Sequence, residues 1–269
     1  MNNSSSSKYQ FYRLISEFGF SSMKIISGLG RIFIFLNRFF YTFLRKPYRF
    51  NLIFEQLYFI GNKSLFIICL SGSFTGMVLA YQTYFGFKLI SVDSLVGPVV
   101  AISMARELAP VLTGLIVAGR AGSAMAAQIG TMKVTEQIDA LEVMGIDSFQ
   151  YLAVPRIIAS TISLPILSSI FLLIGNIGGW FVGTSALMID DVLYFSKLGE
   201  FMFLEDITQG IIKAIVFGFI IGLIGTYFGF KVSKGAEGVG KGTNRAVVWG
   251  MISVLTIDYF LTSFLVKIL

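Results

Sequence analysis

Histidine is absent from the 269-residue sequence, and Cys69 is its single cysteine. One cysteine cannot form an intramolecular disulfide. Without histidine or a cysteine cluster, zinc and haem sites lack their usual ligands, and a catalytic triad lacks its usual base. Acidic residues are scattered, so a paired acid and base is not evident either. We therefore expect no metal site, no cofactor bound by this chain, and no enzymatic activity of its own.

Charged residues are scarce at 13%, whereas hydrophobic residues make up 55% and the mean hydropathy is +0.79. Soluble domains carry about a quarter charged residues, so this composition indicates an integral membrane protein. The formal net charge is +6. Because the basic residues flank apolar runs and do not cluster on a soluble surface, they indicate membrane topology and anionic lipid, not nucleic acid.

Five apolar blocks are each about long enough to cross a hydrocarbon core of ~30 Å. They are Ser64–Phe85, Leu95–Ala118, Ile157–Leu187, Ile207–Phe230 and Ala246–Val266. The third is too long for one untilted span, so we expect it to tilt, kink or continue as an outer-face helix. The sequence predicts an all-α membrane protein with five transmembrane helices.

The distribution of lysine and arginine predicts the orientation. On one side of the predicted topology, lysine and arginine number nine in residues 1–63, three in 119–156 and four in 231–245. The other side has three lysines, Lys88, Lys197 and Lys267. The cytoplasmic side of a membrane protein retains the positive charge. We therefore place the N-terminus and residues 119–156 inside and the C-terminus outside.

The chain before the first block divides into two regions. Residues 1–28 begin with a polar, serine-rich run and are expected to be a disordered tail. Residues 29–56 predict a basic, aromatic amphipathic helix with Arg31, Arg38 and Arg45 on one side, interrupted at Pro47. We expect it to lie in the membrane interface, with packing on a soluble core as the alternative. Residues 57–269 are predicted to form the membrane domain.

Small residues recur every four positions from the second block onward. They are Gly114, Ala118, Gly122, Ala126 and Gly130. This spacing allows close approach of helix backbones in lipid, where apolar side chains give no driving force for association. The partner helix could belong to the same chain or to a second copy.

Four ionisable residues interrupt the apolar blocks, and charges at that depth usually pair or face water. Arg106 and Glu107 are neighbours in sequence, so they point ~100° apart on a helix and cannot pair with each other directly. Each is expected to meet a group on another helix or to line a cavity or gate. Lys213 and Asp258 lie near the ends of their blocks, where we expect them to snorkel towards water.

The run GAEGVGKGT, residues 235–243, is close to a phosphate-binding loop, but a glycine follows Lys241 where serine or threonine is needed. No soluble nucleotide domain accompanies it. We expect a glycine-rich, basic connection between the fourth and fifth spans, of a kind that suits contact with lipid phosphates.

Residues 120–156 are the longest polar interruption between apolar blocks. Thr135 is predicted to cap a helix whose first turn holds Glu136 and Gln137, with Asp139 close behind, because acidic groups are favoured near a helix N-terminus. The product is a short acidic helix on the inner face. It could fold on its own protein or on lipid, but an acidic helix gains little from an anionic leaflet, which favours a protein partner.

The same helix has an apolar stripe and a clear end. The stripe is predicted by the spacing of Ile138, Leu141 and Met144. Gly145 suits a left-handed stop, with Ile146 folding back on Leu141. Asp147 is predicted to cap a next short helix that ends before Pro155.

Residues 105–147, ARELAPVLTGLIVAGRAGSAMAAQIGTMKVTEQIDALEVMGID, followed by YLAVPR, resemble the signature of the MlaE/YrbE-type permeases. These are membrane subunits of ABC transporters that work with MCE proteins, in bacteria and in the plastid lipid importer. The resemblance extends from about Leu57 to the C-terminus. The family typically has proline where this chain has Ser148.

The resemblance implies a homodimer of five spans per chain plus an elbow helix, in a bacterial inner membrane or the inner membrane of a plastid envelope. It implies a coupling helix at Thr135–Met144 that docks in a separate ATPase, which would hold the ATP and magnesium. An MCE partner would exchange lipid on the other face. Arg106 and Glu107 would lie near the charged wall of a lipid cavity between the two copies. The alternative is a carrier or channel that uses an ion gradient and needs no ATPase.

Overall fold

The computed structural model describes residue 23 and residues 27–28, 30–46, 49–89, 92–233 and 235–268. The chain divides into two compact units, Met1–Lys46 and Pro47–Leu269. In the first unit, helix α1 covers residues 30–43, where Arg31 and Arg38 are exposed, and exposed Arg45 follows the helix. The predicted start of this helix, Leu29, its interruption at Pro47 and nearly all of the predicted tail lie outside the described residues.

The second unit is formed by seven helices within the described ranges. They are α2 (Phe50–Lys88), α3 (Asp93–Val134), α4 (Gln137–Val143), α5 (Ser148–Ser185), α6 (Asp191–Phe201), α7 (Leu204–Phe230) and α8 (Ala236–Leu265). Five of them, α2, α3, α5, α7 and α8, are long and apolar enough to cross a membrane. The predicted all-α class and the five spans are confirmed.

The helices extend well beyond the apolar blocks. Helix α2 begins at Phe50, α3 continues to Val134, and α5 begins at Ser148 and passes through Pro155 and Pro165 without ending. The prediction of a separate short helix before Pro155 was wrong. Hydropathy reports only the part of a helix that prefers hydrocarbon, and membrane helices tolerate proline because neighbouring groups satisfy the freed carbonyls.

The glycine-rich run is also helical and not the connection that we expected. After Gly235, with φ of +89°, residues 236–243 form the first turns of α8. Lys241 pairs with Glu237 at 2.5 Å, one turn earlier, and Thr243 Oγ1 donates to the Val239 carbonyl at 2.9 Å. These local contacts explain why the run continues as helix.

Glycines bring the long helices into backbone contact. A Cβ at Gly76 of α2 would overlap the Gly175 carbonyl of α5, and a Cβ at Gly218 of α7 would lie 2.5 Å from the Ser160 carbonyl oxygen of α5. Side chains cannot fit at such crossings, so small residues are required. Helix α5 is thereby held between α2 and α7.

The ladder of small residues packs within the chain. A Cβ at Gly114 would lie 3.2 Å from Val254 of α8, and a Cβ at Gly122 would lie 3.5 Å from Ile221 of α7. Contacts of the same kind join Ala118 to Gly250, Ala126 to Gly229, and Gly130 to Val232. The ladder therefore seats α3 against α7, α8 and the connection between them.

Candidate functional site

Three π-helical turns interrupt α2 and α3, at Tyr58–Asn62, Met104–Leu108 and Ala118–Gly122. A π turn inserts one residue into the helix and loosens its hydrogen bonding, and such turns are frequent at functional sites. Two of the three carry charged residues from the middle of α3, Arg106 with Glu107 and then Arg120, whereas Asp93 and Lys133 lie near the ends of the helix. The irregular turns therefore coincide with the charges that lie inside this apolar helix.

Lys213 of α7 is the centre of a polar cluster that joins three helices. Its Nζ donates to Glu107 Oε2 of α3 at 2.5 Å and to Thr262 Oγ1 of α8 at 2.7 Å. Asp258 Oδ1 of α8 lies 3.1 Å from the same nitrogen but off the hydrogen-bond direction. The Thr262 hydroxyl in turn has two acceptors within reach, the Asp258 carbonyl at 2.9 Å and Glu107 Oε1 at 3.3 Å. One buried ammonium thus joins α3, α7 and α8.

Arg106 makes a second link between α3 and α7. Its Nε donates to Asp206 Oδ1, and the other carboxylate oxygen of Asp206 accepts the Phe203 backbone N–H at 2.9 Å. Asp206 is fully buried. This carboxylate therefore caps the N-terminus of α7 and neutralises Arg106 at the same time.

We call these residues the buried charge network: Arg106, Glu107, Asp206, Lys213, Asp258 and Thr262. Lys213 is 1% exposed at its side chain, whereas Arg106 and Glu107 are 40% and 41% exposed. The network is thus closed on the α7 side and accessible on the α3 side. Charges in such a setting attract strongly but are costly when left unpaired.

The sequence correctly predicted that Arg106 and Glu107 meet groups on other helices. The prediction that Lys213 snorkels was wrong, because the side chain is buried in the bundle, where it donates to Glu107 and Thr262. Sequence reasoning missed Asp206 and Thr262 as partners. Asp206 is the third residue of α7, a favoured capping position, and this position could have signalled its role.

Arg120 ties the π turn of α2 to that of α3. Its guanidinium donates to Ser64 Oγ at 2.6 Å, to the Phe59 carbonyl at 3.0 Å and to the Ile60 carbonyl at 3.3 Å. The group also lies 5.3 Å from the centre of the Phe59 ring. Carbonyls loosened by the π turn therefore serve as acceptors for a charge from the neighbouring span.

The helix expected at residues 135–144 is present as α4, but its start differs from the prediction. Thr135 does not cap α4: its Oγ1 donates back to the Thr131 carbonyl at 3.0 Å and closes α3. The turn is made by Glu136, with a left-handed φ of +59°, and α4 begins at Gln137. A hydroxyl near a helix end can bond backwards as readily as forwards, which is why the spacing misled.

The end of α4 follows the prediction. The Ile146 N–H donates to the Leu141 carbonyl and the Gly145 N–H to the Glu142 carbonyl, both at 3.0 Å, and Gly145 has φ of +74°. This is a Schellman closure. Asp147 then caps α5 by accepting the Phe149 N–H at 2.9 Å.

Ser148 adds a contact that the sequence did not predict. Its Oγ donates to Glu142 Oε1 at 2.7 Å, and the residue is buried. It is also the first residue of α5, a position where proline is favoured. A proline at this position would restrict the backbone, whereas Ser148 instead links α5 to α4 through its side-chain hydrogen bond.

The surface of α4 is divided between an inner and an outer side. Ile138 is buried in a cluster with Ile129 and Leu152, and Leu141 packs against the same cluster. Met144 is 65% exposed and Val143 is 87% exposed, so the predicted stripe is only partly covered. The exposed acidic and amide groups around them are Glu136, Gln137, Asp139 and Glu142. The protein thus presents two apolar side chains within an acidic surface.

Five candidate spans, ion pairs buried between three of them and a short helix braced between two define, in the part of the chain that the structure describes, a multi-pass integral membrane protein. The described residues contain no group of acids or cysteine suited to a metal. The sequence profile described as Permease MlaE matches residues 53–264. The chain therefore belongs to the MlaE permease family.

Relatives from distant organisms agree with this assignment. A probable ABC transporter permease of Rickettsia bellii is 40% identical over 95% of this chain and 98% of its own length. The intermembrane phospholipid transport system permease protein MlaE of Haemophilus influenzae is 38% identical over 93% of this chain and 96% of its own. The chloroplastic protein trigalactosyldiacylglycerol 1 of Arabidopsis thaliana is 37% identical over 78% of this chain and 60% of its own.

Proposed function

We propose that this chain is the permease subunit of an ATP-driven transporter that moves phospholipid or a related lipid between membranes. Family membership and the names of the Rickettsia and Haemophilus relatives support a permease of an ABC system for lipids. A bacterial inner membrane or the inner membrane of a plastid envelope is the matching location. The chain itself hydrolyses nothing in this proposal.

The α4 end of the bundle faces the cytosol or stroma in this proposal. Five spans put the two chain ends on opposite sides, and the excess of lysine and arginine lies with the N-terminus and the α3–α5 connection. Positive charge is retained inside. Helix α4 is then available to a soluble partner.

The observation that carries the proposal is the exposed surface of α4. Val143 and Met144 project from a helix that is fixed by Ile138 on its inner side and by the Schellman closure at its end. Two apolar side chains within a charged rim suit a groove in another protein. We assign that groove to a separate ATPase subunit, which holds the ATP and magnesium, and treat Thr135–Met144 with Gly145 and Asp147 as the coupling segment.

The buried charge network lies towards the opposite, α6 end. Arg106 and Glu107 are its two accessible members, so we place them on the wall of the lipid path. Their partners Asp206 and Lys213 fix the wall by joining α3 to α7. A lipid headgroup with both charges could exchange with these pairs without leaving a charge unpaired.

Two further partners complete the proposed assembly. A second copy of this chain would close the lipid cavity, and α8 offers exposed Trp249, Leu255 and Phe260 for that contact or for lipid. An MCE-type lipid-binding protein would receive or deliver lipid at the α6 end. The exposed arginines of α1 would anchor the first unit at the inner interface.

Co-purification with the ATPase tests the coupling assignment. Glu136→Lys combined with Leu141→Asp is not a clean test. Leu141 packs against its own protein, so its substitution would disturb folding as well as docking. Val143→Asp combined with Met144→Asp adds charge at exposed positions only and should abolish co-purification while membrane insertion is retained. Ala236→Asp, an exposed position at the start of α8, is the matched control and should leave co-purification intact. Undiminished co-purification of the double variant would overturn the assignment, and lipid transport without any ATPase would favour an ion-gradient carrier.

A further inference from the structure

Arg49 is a cation without an anion, and it lies immediately before the first residue of α2. Its guanidinium makes no hydrogen bond or ion pair with the described residues, and of its three nitrogens only Nε is buried. The group lies 4.8 Å from the centre of the Tyr151 ring of α5. Stacking on an aromatic face positions a guanidinium without using its hydrogen-bond donors. Arg49 is thus held in place with its donors unused.

Arg49 and Tyr151 line an open cavity of about 390 Å³ together with Phe50, Asn51 and Leu52. The cavity has room for on the order of ten water-sized groups, which is enough for a phosphate and the glycerol that carries it. No side chain caps the N-terminus of α2 at this point, so the positive end of the helix adds to the charge of Arg49. An unused guanidinium, a side-chain amide and a helix N-terminus around one cavity suit an anion with several oxygens.

The same end of α5 carries a second arginine without an anion. Arg156, five residues after Tyr151, is 7% exposed. It donates to the Leu152 carbonyl at 2.8 Å and to Gln128 Oε1 at 3.4 Å, and no described carboxylate pairs with it. Tyr151 contacts Arg49 through its ring and interacts electrostatically with Arg156. The two arginines therefore leave an excess of positive charge around Tyr151, which a bound anion would offset.

The position of the cavity along the helices favours a lipid over a soluble anion. Tyr151 lies six residues, or about 9 Å of helix, before Ile157, where the apolar block of α5 begins. Lipid headgroups occupy roughly the first 5–8 Å outside the hydrocarbon core, and tilt of the span brings Tyr151 closer to them. Along α2, Phe54 and Tyr58 follow one turn apart and are 66% and 63% exposed. A phosphate that carries acyl chains would cover this aromatic surface as well as the cations.

We propose that this cavity binds the phosphate group of a membrane lipid, with Arg49 and Asn51 as donors and the acyl chains along Phe54 and Tyr58. The lipid joins the start of α2 to the start of α5 at the membrane surface. The site lies at the α4 end of the bundle, whereas the buried charge network lies towards the α6 end. It is therefore separate from the proposed lipid path and requires neither transport nor an ATPase.

Native mass spectrometry of the full chain counts the lipids that it binds. The delipidated chain, in an uncharged detergent, is titrated with dioleoyl phosphatidylglycerol, and Arg49→Gln should bind one lipid fewer per chain. Lipids bound elsewhere, including in the proposed lipid path, should remain. Dioleoylglycerol, which has the same acyl chains without the phosphate, should not fill the Arg49 site. Inorganic phosphate at an equal concentration should not displace the lipid.

Two further variants sharpen the result. Arg245→Gln removes an exposed arginine near the start of α8, at the same end of the bundle, and should leave the lipid count unchanged. Arg49→Lys keeps the charge but loses the planar fork that donates two parallel bonds, so it should retain the lipid with about 10-fold weaker binding. Arg49→Lys also keeps the test valid if Arg49→Gln fails to fold.

Equal lipid counts and affinities for the Arg49 variants and the unsubstituted chain would overturn the site, and so would an equal loss in Arg245→Gln. Occupation of the Arg49 site by dioleoylglycerol would overturn recognition of the phosphate. Displacement of the lipid by inorganic phosphate would assign the site to a soluble anion instead. The titration contains no ATPase, so failure here leaves the α4 assignment intact, and loss of α4 docking leaves this site intact.

Discussion

The buried charge network and the surface of α4 use the same kinds of charged residue in opposite ways. In the network, Glu107 and Asp206 are held by cations from neighbouring helices. On α4, Glu136 and Asp139 are exposed around two apolar side chains. The contrast teaches that charge within an apolar bundle fixes the positions of helices, whereas charge on α4 remains available to a partner. Substitutions in the first region should affect stability and lipid movement, and those in the second should affect assembly.

Lys213→Met gives the largest expected effect on stability. It leaves Glu107 and Asp258 without their shared cation, and breaking a buried pair costs about 3–5 kcal/mol. Thermal unfolding in detergent measures the loss. Lys197→Met is the control, because the exposed Lys197–Glu200 pair at 2.7 Å contributes ~0–1 kcal/mol. Equal melting temperatures for the two variants would contradict the claim that the buried Lys213 contributes more to stability than the exposed Lys197–Glu200 pair.

Asp206→Asn should have the next largest effect. The amide retains an oxygen for the Phe203 N–H but loses the charge that pairs with Arg106, and a hydrogen bond to a charged group contributes about 1.5–3 kcal/mol. Asp206→Asn strands one cation, Arg106, which can turn to water, whereas Lys213→Met strands two carboxylates, of which Asp258 is only 21% exposed, so the loss should be smaller than for Lys213→Met. A larger loss, measured by the same unfolding experiment, would mean that Arg106 cannot reach water.

Gly145→Ala tests the closure of α4. Its φ of +74° disfavours a side chain, so alanine should cost about 1 kcal/mol and loosen the end of α4. Faster hydrogen exchange confined to α4 and weaker co-purification with the ATPase are expected. Gly199→Ala in α6 lacks a left-handed φ and nearby atoms, so it serves as the control. Unchanged exchange at α4 would show that the closure does not fix it.

Ser148→Ala should give the smallest effect, below about 1 kcal/mol, because the Glu142 carboxylate that loses its donor is exposed and water can replace the bond. Ser148→Pro should be better tolerated than its chemistry suggests, because the first residue of a helix suits proline. Unfolding measurements on the two variants provide the comparison. A proline variant much less stable than the alanine variant would contradict the role given to this position.

The sequence predicted local chemistry better than it predicted helix ends. Gly145, Ile146 and Asp147 behave as their side chains require, because each conformation depends on neighbours within a few residues. The prediction for Thr135 failed because its hydroxyl donates back to the Thr131 carbonyl of α3 and does not accept an N–H of α4. The apolar blocks predicted the number of spans but not their limits. Helix α3, for example, continues beyond its apolar block to Val134, where it packs against the end of α7 and the connection that follows.

The candidate site shows the same division. Neighbouring charges at Arg106 and Glu107 already required separate partners, because no helix turns them towards each other. Their partners Asp206 and Lys213 lie about 100 residues further along the chain. Only the packing of α3 on α7 brings them together, and a single sequence contains no signal for that pairing.

Lipid transfer by the reconstituted complex tests the central claim most directly, namely that α4 docks the ATPase while the buried charge network lines the lipid path. Glu107→Lys places a second cation against Lys213, so the complex should still contain the ATPase but transfer little lipid. The Val143→Asp and Met144→Asp double variant should lose both the ATPase and the transfer. Normal transfer by Glu107→Lys, or an intact complex with the double variant, would contradict this account.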